Sequence, residues 1–473
     1  MPRLAPIARL ALAYCALVAG AALADAPPSS WVYYGADGTL QYQAAATGDK
    51  VLDFSGAGYM GGTQNIPLVP VAVTLNPSPS PIDDTARIQA AINQVSAMPL
   101  VNGVRGTILL TAGTYDVSSQ LKINASGVVL RGQGQGPTGT LLYSTATTSY
   151  DVIQAAPTGS TSFSAVSGTT STIADSYVPV GATSFSVSAS DVSKYHVGDK
   201  IVVNRPSTAA WISAIGMDAT ALSTEAWSPS NSFIQADRTI TAINGDKITI
   251  NLPLTTSLDS TNGNAFGGGT IFKYTTSRIS NVGIEDIRFD TVFSSPTDMN
   301  HAGRPIVFNG VTNGWIRDTT TQHYYNGPFI ASGSEFDTMT DNVFLDAIGD
   351  THSGGFALGG QTSLIERSYT DFTHAPFVTQ DSHTVGPSAF LFDTATDSQQ
   401  SVGPHQRWAS GVLWDNLKVT NTTNGTGSGG IELVNRGNFG SGQGWAGANM
   451  VTWNTSSPWI DVESPPTAQN WAI

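Results

Sequence analysis

Six of the seven histidines fall between positions 301 and 405: His301, His323, His352, His374, His383 and His405. The last of these belongs to the densest chemical cluster of the chain, Pro404-His405-Gln406-Arg407-Trp408. In an extended segment alternate side chains share a face, so His405 and Arg407 are expected to project together. A guanidinium beside an imidazole suits proton abstraction next to a carboxylate. The cation neutralises the carboxylate and acidifies the adjacent C–H, and a base then removes the proton. Arg407 is the expected neutraliser and His405 the expected base. One preorganised electrostatic donor is worth roughly 2.7 to 4 kcal/mol, and general base catalysis typically adds about 10²- to 10⁴-fold, a comparable but more variable contribution. Arg436, in Glu432-Leu433-Val434-Asn435-Arg436-Gly437, is a second basic candidate, whose ordinary alternative is a surface ion pair. His374 and His383 flank Asp381 and are candidates for the acid, a substrate contact, or a metal site with Asp371 or Asp393. Their spacing of nine residues matches no metal-binding signature. No cofactor is required by the sequence, and calcium is the cation left open.

The elements that must hold these groups are short strands. Only 12% of the 473 residues are charged, against about 25% in a typical soluble domain, and long surface helices need that charge. An all-α fold is thereby excluded. One amphipathic helix is expected from Asp84 to Val95, where Ile88, Ala91, Ile92 and Val95 share a face and Asp83 or Asp84 caps the start. Brief strand-like pieces follow at Thr107–Leu110, Tyr115–Val117, Leu121–Ile123 and Val128–Leu130, with glycines between them. The formal charge of −14 disfavours a nucleic-acid partner, which needs a basic surface. Residues 1–24 read as a signal peptide, with Arg3 and Arg9 ahead of the apolar run Leu10–Leu23; cleavage after Ala24 or Ala26 satisfies the small-residue rule equally. The product is expected to be secreted or periplasmic, free of the membrane after cleavage, and monomeric. Cys15, the only cysteine, lies in that leader, so disulfides and thiolate chemistry are excluded from the mature chain.

A degenerate repeat orders the second half. Segments beginning at Ile284, Ile316, Met339, Ile365, Trp414 and Val451 share an apolar residue, polar residues and a strand continuation. Their shorter intervals suit one coil of a solenoid; the longer ones suit a coil with an inserted loop, or two coils. The repeat is absent between about 161 and 275, where Val197–Val203 and Asp246–Leu252 look like hairpin strands. The expected organisation is a leader at 25–80, a helix cap and first coils at 81–160, an inserted small β-subdomain at 161–275, and main coils with the site at 276–473.

These residues resemble the pectate-lyase-like superfamily of right-handed parallel β-helix proteins. The resemblance rests on Asp83-Asp84-Thr85-Ala86-Arg87-Ile88-Gln89-Ala90-Ala91-Ile92, on Gly106–Tyr115, on Val128-Val129-Leu130-Arg131-Gly132-Gln133-Gly134, and on the upstream Asp53–Tyr59. It implies an all-β, right-handed parallel β-helix with a short N-terminal capping helix and an inserted β-subdomain. It implies chemistry less directly, because one fold hosts many activities. The Asn-Thr-Asp, Asp-pair and Gly-His-Gly pattern of polygalacturonases is absent. The Arg-x-Pro-x-x-Arg pattern of pectate lyases is half present at 402–407, where Val402 replaces the first Arg.

In that frame the chain is expected to be a polysaccharide lyase that cleaves an acidic, uronate-containing polysaccharide by β-elimination. His405, Arg407, His383 and Arg436 are the expected catalytic set; Trp408, Trp445, His374, Asp381 and Tyr325 are the expected substrate contacts. Trp408 and Trp445 stand in Gly-rich turns as sugar-stacking platforms, whereas Trp414 and Trp453 occupy repeat positions and belong to the core. Two alternatives stand beside the lyase. One is a glycoside hydrolase or transferase with paired carboxylates drawn from Asp371, Asp381, Asp393 and Asp397. The other is a non-catalytic, tailspike-like glycan-binding protein.

Overall fold

The computed structural model describes residues 29–219, 221–223, 226–349, 354–421 and 429–473. The signal-peptide expectation and His352 lie outside these residues. The chain divides into two units, Met1–Gln43 and Ala44–Ile473. In the first, Val32–Tyr34 pairs antiparallel with Leu40–Tyr42.

The second unit is a right-handed parallel β-helix, the hand taken by parallel strands joined through crossovers. A complete coil gives one strand to each of three parallel sheets, which among the described residues contain 12, 8 and 7 strands because the end coils are incomplete. One coil runs through Leu364–Glu366 in the first sheet, Tyr369–Asp371 in the second and Ala375–Thr379 in the third. Alternation in such short strands sends one apolar side chain inward per step, and identical positions stack from coil to coil. Ile284, Ile316, Met339, Ile365, Phe390 and Trp414 form one such column, all fully buried.

The helix Thr85–Ser96 closes the N-terminal end with Ile88, Ala91, Ile92 and Val95 buried against the first coil. Asp84 precedes its first turn and binds Arg87 and the Ser78 hydroxyl rather than a helical N–H.

Residues 161–275 build a separate antiparallel sheet, from Ser164–Ala165 to Thr270–Thr275. The coils on either side of it remain in register, with Leu130 pairing Ile284 and Gln154 pairing Val307. The segment is therefore inserted between two adjacent coils without interrupting their stack. A buried charge cluster ties it to the coils. Arg278 donates to Asp237 at 2.6 Å and lies 2.8 Å from Glu335, which Lys200 reaches at 3.0 Å. No helix among the described residues is long and apolar enough to cross a membrane.

Candidate functional site

The third sheet ends in an open cleft of about 720 Å³, lined by its last strands and the turns that follow them. Val378 and Gly403 lie side by side on the floor, and Val402 pairs Ile431 on the next coil, so Glu432 stands beside Gly403. Ile431 and Leu433 point into the core, which turns the intervening Glu432 outward into the cleft. Its neighbour in register on the following coil is Asp461, which is exposed. Two carboxylates thus occupy adjacent strands on one face.

Arg436 closes one wall. Its Nη1 donates to the His405 carbonyl at 3.0 Å, and the guanidinium lies 4.9 Å from the centroid of the Phe439 ring. Burial lowers its pKa and Glu432 opposes that shift. His405 forms part of the same wall at the end of the strand Gly403–Pro404. Its ring is held between two amides, with Nδ1 3.3 Å from Gln380 and Nε2 2.9 Å from Gln443. Burial, followed by the positive charge of Arg436, pushes its pKa down to about 4, so the ring is neutral at pH 7. Both glutamines turn their amide nitrogens to the ring, and a neutral imidazole accepts at only one of its nitrogens, so one of the two contacts is a hydrogen bond and the other a packing contact. Trp459 and Phe439, which are 39% and 54% exposed, complete the rim.

Of the sequence-derived candidates, His405 and Arg436 meet in this cleft. Arg407 does not line it. The segment is not extended there: Arg407 and Trp408 take φ of 48° and 56°, so the alternation that would pair Arg407 with His405 is broken. Arg407 Nη2 donates instead to the Ser441 carbonyl at 2.8 Å and bolts down the turn that carries the far wall. His383 lies beside Arg407, its N–H bonded to the Arg407 carbonyl at 2.9 Å. Burial and then Arg407 push its pKa down to about 4, its Nε2 has no hydrogen-bond partner among the described residues, and its ring packs edge-on against Trp227.

Trp408 is 1% exposed and meets Trp211 edge-on at 4.9 Å inside the core of the inserted sheet, so it offers no surface to a sugar. Trp445 packs against the same core and donates to the Ile215 carbonyl at 2.9 Å. Their Gly-rich surroundings are the joint between insertion and coils, which local sequence cannot distinguish from a loop at the surface. Asp381 accepts from the Ser332 N–H at 2.9 Å and serves the turn between coils. His374 adjoins the lining residue Ala375, and its carbonyl accepts from the Ser398 hydroxyl at 3.5 Å. Tyr325 lies against Gly349 on an earlier coil. Neither is among the cleft-lining residues. Among the described residues no three metal-binding side chains converge.

Glu432 was legible as an outward residue from Ile431-Glu432-Leu433, because alternation alone sets its direction. Gln380, Gln443 and Trp459 carry no signal of that kind.

Fold and site together define a parallel β-helix protein with a polar, aromatic-rimmed cleft at the C-terminal end of one sheet. No family model matches the chain, and no curated protein matches it. Among solved structures it is similar to the tailspike Gp54 of Acinetobacter baumannii bacteriophage AP22 in complex with capsular saccharide. The identity there is 11%, over 80% of this chain and 56% of that one, with a TM-score of 0.33. It is also similar to an iota-carrageenase complexed to iota-carrageenan fragments, at 10% identity over 78% of this chain and 58% of that one, with a TM-score of 0.38. For the polygalacturonase of Erwinia carotovora ssp. carotovora the values are 10%, 85%, 84% and 0.35. The chain thus spans little more than half the length of the first two.

Proposed function

We propose that the chain is a secreted enzyme that cleaves an acidic, uronate-containing polysaccharide in this cleft by β-elimination. The observation that carries the reading is the placement of one guanidinium, Arg436, and one carboxylate, Glu432, in the same open cleft beneath two exposed aromatic rings. Arg436 pairs with the uronate carboxylate and draws charge toward it. The Glu432 carboxylate takes the C5 proton, the C–H electron pair becomes the C4–C5 double bond, the C4–O bond breaks, and the leaving oxygen is protonated from solvent. His405 acts through its neighbours in this scheme, since both ring nitrogens are engaged by glutamines and its carbonyl anchors Arg436. It is a positioning residue. The apolar leader Leu10–Leu23, with Arg3 and Arg9 ahead of it, supports export.

A second reading is favoured by one observation, the register pairing of Glu432 with Asp461. Neighbouring strands lie about 4.8 Å apart, and retaining glycosidases hold their carboxyl groups about 5 to 5.5 Å apart. Hydrolysis by this pair would leave new reducing ends and no double bond. The test is to incubate the mature protein with alginate, pectate, glucuronan and glycosaminoglycans while following both ultraviolet absorbance and reducing ends. Elimination requires the absorbance to rise with the ends; ends without absorbance overturn it in favour of hydrolysis.

A further inference from the structure

Left-handed residues turn many of the coil corners, in columns that run from coil to coil. At the corner between the first and second sheets these are Asp286, Asp318, Asp341, Arg367, Phe392, Asn416 and Asn454, with φ from 46° to 59°. After the second sheet they are His323, Asp346, Phe372 and Asp397, with φ from 49° to 63°. Asp, Asn and His tolerate this backbone because their short polar groups bond locally; a bulky aromatic does not. Phe392 and Phe372 are the two apolar members of these columns, they fall on consecutive coils, and they are 47% and 40% exposed. A phenylalanine with the same backbone elsewhere, Phe336 with φ of 56°, is half-buried, with the turn at Gly61 against its ring.

Strain held without burial is a mark of function. Between the two rings runs the outer face of Tyr369–Asp371 and Thr394–Thr396, where Thr370 and Ala395 are buried inward and Tyr369, Thr394 and Thr396 point out. Lys418, exposed on the next strand, pairs with Thr394 in register and forms no ion pair among the described residues. Asp371 and Asp397 in the same coils are buried. A strand rises about 3.3 Å per residue, so the five steps from one corner to the other separate the rings by roughly 16 Å. Aromatic faces at that spacing, with hydroxyls between them and one cation on the strand alongside, fit a few sugar rings of an anionic chain.

We propose that Phe372, Phe392, Tyr369 and Lys418 form a second, non-catalytic binding surface for acidic polysaccharide on the second sheet, separate from the cleft. The ligand class rests on the reading proposed above, but the surface does not need the cleft to be active. The test is retardation of the full mature chain in native gels cast with alginate, pectate, glucuronan or chondroitin sulfate, with turnover measured separately. Wild type is expected to be retarded by at least one polymer. Phe372→Asn and Phe392→Asn together are expected to weaken that retardation at least tenfold while Tm stays no lower than wild type, because Asn suits the left-handed backbone. Arg436→Ala is expected to lose turnover and keep retardation, so a cleft that proves inactive leaves this proposal standing. No retardation of wild type by any of these polymers overturns it. So does a drop in Tm on the double substitution, which would show that the rings serve the fold, or a dimer that the same substitutions dissociate.

Discussion

At the scale of single residues, the cleft separates two roles that local sequence had merged. His405 is wedged between two glutamines and held neutral, so its replacement by glutamine is expected to lower kcat/KM, by loosening the strand end whose carbonyl holds Arg436, without moving the acidic limb of the pH–rate profile. A shift of that limb would assign His405 to proton transfer. Its titration also bears on stability. The folded pKa of about 4 lies below the ordinary value of 6.5, so between those two pH values the unfolded chain binds more protons than the folded one. The contribution is complete above about pH 6.5 and disappears as pH falls toward 4. Thermal melts from pH 7 to 4 should therefore fall less steeply for His405→Gln than for wild type.

At the scale of elements, the coil is the unit whose legibility can be judged. The interval from Ile365 to Trp414 is two coils, because Phe390 pairs with both. The intermediate coil carries no matching segment because Phe392 stands where its neighbours carry Asp, Asn or Arg, so the polar mark of the corner is missing. The final segment is displaced by one residue: Trp414 pairs with Thr452, not Val451. Long-range register cannot be read from a four-residue match when loops of different length separate the coils. Phe390 is fully buried, stacks on Trp414 at 5.5 Å and meets Phe377 at 6.1 Å. Phe390→Ala should cost about 3 to 5 kcal/mol, measured as a lower midpoint in urea at unchanged slope. A cost below about 1 kcal/mol would mean that the column does not hold the coils together.

At the scale of the whole molecule, the insertion and the coils are joined by groups no local pattern connects, Asp237 and Lys200 on one side and Arg278 and Glu335 on the other. The parallel coils were legible because alternation and turn residues recur; the seam was not, because its partners lie 41 and 135 residues apart and are ordinary charged residues in sequence. The same limit hid Trp408 and Trp445, whose burial depends on what the insertion brings over them. Burial and the neighbouring Asp237 raise Glu335 to about 7, so below that pH it is mostly protonated in the folded state, while the Arg278 guanidinium helps hold Asp237 below the usual carboxylate range. Between its ordinary 4.5 and that value the folded chain binds more protons than the unfolded one, so this contribution is present at low pH and is lost as pH rises through 7. Glu335→Gln should flatten the decline of Tm between pH 5 and 8; an unchanged slope would place the proton elsewhere.

Elimination in this cleft requires that Arg436, and not Arg407, meet the substrate. The most direct measurement is the initial rate of ultraviolet absorbance on the polymer that wild type cleaves best, compared for Arg436→Ala and Arg407→Ala. A loss of at least 100-fold is expected for Arg436→Ala, the scale of one preorganised donor at roughly 2.7 to 4 kcal/mol, with most activity retained by Arg407→Ala, whose side chain does not line the cleft and secures the turn that carries Phe439 and Gln443. The reverse ranking, or full activity without Arg436, would contradict the assignment of this cleft as the place of elimination.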